Sequence, residues 1–139
     1  MAFRPYLFFG GNCREAFTRY EEIFGGELVL LDFASVPDAG PPPEGAKPDA
    51  IMHAALMAGD ALLMGADDPS GNFNGAVNGM CCNVSLPDPA EAKRVYDALA
   101  DGGTVQQPLN ETFFSPAFGM CTDRFGTPWM IMVDMPMEG

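Results

Sequence analysis

Asp123 to Asp134 reads D-R-F-G-T-P-W-M-I-M-V-D, a tight turn feeding a strand that is apolar on both sides. Arg124-Phe125-Gly126 supplies the turn, with Gly126 free to take a positive φ and Pro128 stiffening the backbone that follows. In extended chain Trp129, Ile131 and Val133 point one way, and Met130 and Met132 the other. Such a strand belongs in a sheet interior with layers above and below it, so a cavity is expected against one of its faces.

Composition narrows the classes. With 139 residues, 47% of them hydrophobic, the chain can bury one substantial core but hardly two independent ones. Seven Lys+Arg against nineteen Asp+Glu give a formal net charge of -12, which repels phosphate backbones and anionic membrane surfaces, so neither nucleic acid nor membrane is an expected partner. Cys13, Cys81, Cys82 and Cys121 form no C-x-x-C, and the adjacent pair is badly placed for a mutual disulfide. A reducing cytoplasm fits that pattern. No segment approaches the roughly 20 apolar residues of a membrane span.

Working back from the quoted strand, the chain repeats itself. Tyr6-Leu7-Phe8-Phe9 is a short buried strand bounded by Pro5 and Gly10-Gly11. Asn12 to Glu15 has capping-box spacing, and Ala16, Phe17, Tyr20, Ile23 and Phe24 form a helical stripe stopped at Gly25-Gly26. Glu27 to Val36 reads as a strand, 37–48 as a proline-rich loop, and Met52 to Met57 with Ala61 to Met64 as a hairpin across Ala58-Gly59-Asp60. The second half offers Cys82 to Leu86 as a strand, Asp88-Pro89-Ala90-Glu91 as a helix start, an Ala92, Val95, Tyr96, Leu99 stripe and a Gly102-Gly103 stop. An offset of 76 superimposes Asn12 on Asp88, Glu15-Ala16 on Glu91-Ala92 and Tyr20 on Tyr96. Thr104 to Leu109 then answers Glu27 to Leu31, and the stretch from Gly119 to Val133 answers the 52–64 hairpin. The expected fold is therefore α+β, two βαβββ modules at 3–68 and 80–136 joined by a connector at 69–79. One such sheet alone leaves a face uncovered, so two modules or two chains must be put together, with a cleft as the by-product.

The motifs Y-L-F-F-G-G-N-C-R-E-A-F, F-G-G-E-L, I-M-H-A-A-L and D-R-F-G-T-P-W together resemble the PhnB-like branch of the vicinal-oxygen-chelate superfamily, whose relatives include glyoxalase I, bleomycin resistance proteins and extradiol dioxygenases. The resemblance implies paired, cupped mixed sheets assembled as a homodimer. In catalytic members it implies a divalent metal held by His, Glu or Gln early in the first strand and in the last strand of each module. Those positions fall at about Pro5, Leu63 or Met64, Cys81 and Met130. Three of them, all but Cys81, are proline, leucine or methionine and cannot bind a hard divalent ion, so no metal and no other cofactor is expected.

His53, the sole histidine, is the candidate catalytic residue, since imidazole suits proton transfer near neutral pH; the alternative is a structural histidine bonded to backbone. Cys81 is a candidate thiolate or a small core residue. The methionines of the second half, Met130 among them, offer an adaptable lining or plain packing. Phe113 and Ser115, in N-E-T-F-F-S-P-A-F, could close over a cleft as a lid or fill it as a plug. Asp67-Asp68 reads as a solvated face, and no G-x-G-x-x-G or phosphate-binding G-x-x-x-x-G-K-[ST] occurs. The expected pocket comprises His53, Met64, Cys81, Phe113, Ser115, Trp129 and Met130, and takes a small, largely apolar molecule in an inter-module cleft of a cytoplasmic homodimer. The rivals are a metal-dependent lyase, isomerase or dioxygenase of the same superfamily, and a resistance protein that sequesters a toxic compound. Residues alone leave open whether any reaction is catalysed.

Overall fold

Strand alternation and glycine stops place nearly every element where the sequence puts it. The protein, described over residues 1–35, 49–68 and 77–134 in a computed structural model, divides into two compact units, Met1–Ala76 and Val77–Gly139. The first runs β1 (Tyr6–Phe9), α1 (Cys13–Phe24), β2 (Glu27–Asp32), β3 (Ile51–Ala58) and β4 (Ala61–Asp67). The second runs β5 (Cys82–Leu86), α2 (Pro89–Ala100), β6 (Thr104–Asn110), β7 (Phe118–Thr122) and β8 (Pro128–Val133). The loop at 37–48 and most of the connector, 69–76, lie outside the described residues, as does Val36, the expected end of the first long strand.

Each unit is a four-stranded mixed sheet, ordered β1-β4-β3-β2 in one and β5-β8-β7-β6 in the other. The first strand of each unit lies parallel to the last, and the remaining pairs are antiparallel. That arrangement follows from connection length. A parallel neighbour needs a crossover, here begun by the helix, whereas hairpins join antiparallel neighbours. The fold is the doubled βαβββ architecture, α+β in class.

Helix α1 buries Cys13, Ala16, Phe17, Tyr20 and Ile23 along one stripe, and α2 buries Ala92, Val95, Tyr96 and Leu99. A fully buried side chain of this size contributes roughly 2 kcal/mol relative to exposure. In the first unit the ring of Phe17 lies so close over Gly65 of β4 that an added Cβ would meet it at 2.7 Å. In the second, Tyr96 sits over Gly119 of β7, where a Cβ would meet its ring at 2.8 Å. The Tyr96 hydroxyl then donates to the Gln107 carbonyl at 3.0 Å, which removes the cost of burying it.

The two helix starts differ. Asp88 accepts from the Glu91 backbone N–H at 2.8 Å, the cap its sequence position implies. Asn12 makes no side-chain cap, which corrects the capping-box expectation. Asp67, at the end of β4, takes over: its Oδ1 accepts from the Gly11 and Cys13 N–H groups at 3.0 Å each, and its Oδ2 from Ile51 N–H at 2.8 Å. The expectation that Asp67 is merely solvated is corrected with it. One carboxylate satisfies the start of α1 and ties β3 to β4, at a point where a helix N-terminus favours negative charge. Among the described residues no helix is long and apolar enough to cross a membrane.

Candidate functional site

A strand presents alternate residues to opposite faces, so the sheet register decides which side chains lie under the helix and which on the face turned away from it. In the first unit Leu56 pairs with Leu63 and Ala54 with Gly65 on the helix side, which leaves Ala55 beside Met64, and Met64 beside Tyr6, on the other. His53 and Leu31 are also partners there, and Phe8 stands across from Ala66. This helix-free face has the small residues Ala55 and Ala66 on its inner strands. Tyr6 and Phe8 rise on one edge strand and Val29 and Leu31 on the other. Small residues flanked by large ones make a shallow seat.

The polar group of that seat is a pair. The Tyr6 hydroxyl lies 3.1 Å from His53 Nδ1, with the two rings tilted at a centroid separation of 5.8 Å. Phe8 continues the row, its centroid 5.3 Å from that of Tyr6. Burial, and secondarily the nearby Cys13, hold the Tyr6 phenol above its ordinary pKa, so it remains a neutral hydroxyl at physiological pH.

In the second unit the helix side takes Trp129, Ile131 and Val133, paired with Cys82, Val84 and Leu86. The helix-free face takes Asn83 beside Met130 and Ser85 beside Met132, with Met120 across from Met130 and Phe118 across from Met132. The Asn83 amide donates to the Met130 and Met132 sulfurs at 3.5 and 3.3 Å. Three methionines and an amide make this face soft and adaptable.

The expected pocket residues fall on several faces of the two sheets. His53 and Met64 share the helix-free face of the first sheet, and Met130 occupies that of the second. Trp129 does not join Met130. It is turned under α2, 1% exposed, and its Nε1 donates to Asp123 Oδ2 at 2.8 Å, while Asp123 Oδ1 accepts from the Phe125 and Thr127 N–H groups. Asp123 thus shapes the turn and seats the indole, a structural role the sequence reading left unassigned. Ser115 is fully buried, its hydroxyl 2.7 Å from the Ala117 carbonyl and 2.6 Å from that of Val133. It pins the 111–117 segment to β8 and offers nothing to a ligand. Phe113 is 94% exposed; Phe114, stacked edge-on at 5.1 Å, in turn lies against Phe118 at 4.9 Å. Phe114 therefore covers the methionine face at Phe118, and Phe113 does not. Cys81 precedes β5 and is exposed.

The buried thiols of Cys13 and Cys121, and the partly buried one of Cys82, are poor nucleophiles. Burial, reinforced by the Asp67 charge, pushes Cys13 up to about 12 despite the opposing Arg14. Burial likewise carries Cys82 and Cys121 to about 11, with Cys81 and Asp123 as the lesser causes.

The register also tests the divalent metal that the superfamily resemblance implies. On the helix-free faces the residues beside Met64 and Met130 in the parallel pairs are Tyr6 and Asn83, so these replace Pro5 and Cys81 as the facing positions. A phenol, a thioether and the lone imidazole of His53 on the first face, and an amide with thioethers on the second, are each a poor set for a hard divalent ion, which takes several carboxylate or imidazole ligands. The residues do not fit the metal, and among the described residues no three His, Cys, Asp or Glu groups gather as ligands.

Comparison with known proteins bears on the fold and the family. The family described as 3-demethylubiquinone-9 3-methyltransferase matches residues 1–132, and a structure titled as a putative member of it, the PhnB protein from Bacillus cereus, is 25% identical over 96% of this chain and 99% of its own, with a TM-score of 0.78. The chain belongs to this PhnB-like family. Protein YjdN of Escherichia coli (strain K12) is 36% identical over 96% of this chain and 95% of its own length. The crystal structure of protein PA1353 from Pseudomonas aeruginosa covers 98% of this chain and 99% of its own at 40% identity and a TM-score of 0.86. A glyoxalase/bleomycin resistance protein from Albidiferax ferrireducens T118, at 13% identity over 96% of this chain and 100% of its own and a TM-score of 0.66, shares the fold. The doubled βαβββ fold that the motifs suggest is the one these neighbours share.

Proposed function

We propose that this PhnB-like protein binds a small, largely apolar molecule on the helix-free face of its first sheet, without the divalent metal used by catalytic members of the superfamily. The observation that carries the reading is the face itself: Ala55 and Met64 between Tyr6, Phe8, Val29 and Leu31, with Ala66 buried beneath and His53 paired with the Tyr6 hydroxyl. Concave, mostly apolar surfaces with few polar groups are what small-molecule sites are made of. The donors on each face, beside Met64 in one unit and beside Met130 in the other, support metal independence by their chemistry. His53 is the group that would orient a ligand or move a proton if a reaction follows binding.

With this reading go a homodimer in the cytoplasm and the absence of nucleic-acid and membrane partners. Four free cysteines, one of them exposed, support a reducing compartment. The net charge of -12 supports the exclusion of polyanions.

The test is elemental analysis of the untagged protein after native purification, alongside mass spectrometry of small molecules released on denaturation. Substoichiometric transition metal with a released apolar compound is the expected result. About one Zn, Ni, Mn or Fe per chain, lost in His53→Ala, would sink the proposal in favour of a metal-dependent enzyme.

A further inference from the structure

The contact between Tyr6 and His53 bears on what the ligand must carry, an inference that rests on the binding role proposed above. Tyr6 has one hydroxyl proton, and its hydrogen-bond partner among the described residues is His53 Nδ1 at 3.1 Å. Imidazole nitrogen is a better acceptor than phenol oxygen, and a phenol held above its ordinary pKa keeps its proton to donate. Donation to Nδ1 leaves the proton of neutral His53 on Nε2. That nitrogen has no bonded partner among the described residues, on a face whose other neighbours are Leu31, Ala55, Met64 and the Tyr6 and Phe8 rings.

We infer that Tyr6 is a positioning residue: it fixes the Nε2–H tautomer of His53 and thereby makes the seat a hydrogen-bond donor for a neutral carbonyl compound with an aromatic or branched apolar body. On this partly exposed face water bonds the imidazole N–H in the free protein, and a ligand that displaces that water without offering an acceptor leaves the donor unmade, which costs more than a made hydrogen bond gains. A carboxylate would also accept, but it must approach a chain of net charge -12 and lose its hydration among Met64, Leu31 and Phe8. A ketone oxygen carries neither cost. The aromatic row Phe8–Tyr6–His53 suits a flat body stacked alongside.

Because His53 is the only histidine, its ring nitrogens give unique signals in ¹⁵N NMR. The experiment has two readouts on the full chain: the tautomer of neutral His53 by ¹⁵N shifts, and binding by the Met64 methyl signal. The probes are acetophenone, its isostere α-methylstyrene, and benzoate. In the wild type, Nε2–H is expected in the free protein, with acetophenone bound roughly fivefold more tightly than α-methylstyrene, the worth of one net hydrogen bond, and benzoate weakest. Tyr6→Phe keeps the ring and should leave the other methionine methyl signals in place while it mixes the tautomers and erases the preference for acetophenone. An Nδ1–H tautomer in the wild type, or a preference unchanged in Tyr6→Phe, would overturn the inference while leaving the binding proposal standing. If the tautomer is as stated and no probe moves Met64, the binding role itself fails, and the ligand class falls with it.

Discussion

The two units solve the same packing problem with one substitution of roles. Each sets a helix aromatic over a glycine, but the glycine is Gly65 on the fourth strand in the first unit and Gly119 on the third strand in the second. Their cross-strand partners are complementary: Ala54 beside Gly65, and Ile131 beside Gly119. On the other side of the sheets no such matching holds. One helix-free face carries Tyr6 and His53 among alanines and aromatics, the other Met120, Met130, Met132 and Asn83. Packing volume under a helix is constrained in both units, whereas the opposite faces have diverged, which is where chemistry specific to each unit would be found.

The largest effect should come from setting the two sides of one strand against each other. Trp129→Ala leaves a cavity under α2 and strands Asp123, and is expected to cost about 3–5 kcal/mol in denaturant unfolding. Met130→Ala, one residue along on the helix-free face, should cost less than about 1.5 kcal/mol, as a half-exposed flexible side chain does. Equal costs would mean that β8 is equally enclosed on both faces. Next come the glycines. Gly65→Ala and Gly119→Ala each drive a methyl into an aromatic ring, so each should lose about 1–3 kcal/mol. A neutral result at either position would show that the ring yields and that the matched layers are looser than described.

The helix starts sharpen the comparison further. Asp67→Asn cannot accept all three backbone N–H groups and is expected to cost about 2 kcal/mol, against about 1 for Asp88→Ala at the purely local cap. Asp67→Asn should also bring the Cys13 thiol down from about 12, since one of its two raising influences is gone, though burial keeps it above the usual value; alkylation rate against pH under native conditions reads this directly. The remaining effect is on pH dependence. Cys13, Cys82 and Cys121 hold their protons in the folded protein to about 12, 11 and 11, and lose them nearer 9 when unfolded. The folded state then binds more protons, so their contribution to stability is whole below about pH 8.5 and declines as pH rises toward 11 to 12. Unfolding free energies that rise over that interval would contradict the burial of these thiols.

Much of this was legible before any coordinates. The helix aromatic and the glycine stop recur at one spacing because a short helix across a small sheet needs both, and so the doubled unit and its family could be read directly even though Asn12 does not cap. What escaped was long-range. Asp67 caps a helix that begins 54 residues earlier, and no local pattern marks such a partner. Ser115 sits in a segment rich in exposed-looking residues, yet its hydroxyl closes onto β8 because the 111–117 turn folds inward. Two other points were within reach. Strict alternation already separates Trp129 from Met130, so both could not line one pocket. Tyr6 shares its parity with Phe8 on a strand that must pair with β4, which places its ring beside Met64 and within range of His53.

The central claim is binding on the first sheet's helix-free face without metal. It is tested most directly by following the Met64 methyl signal of chelator-treated protein through an acetophenone titration, with and without one equivalent of Zn²⁺. The account predicts the same saturable shift and the same affinity in both. Binding that appears only when the metal is present, and that His53→Ala abolishes, would contradict it.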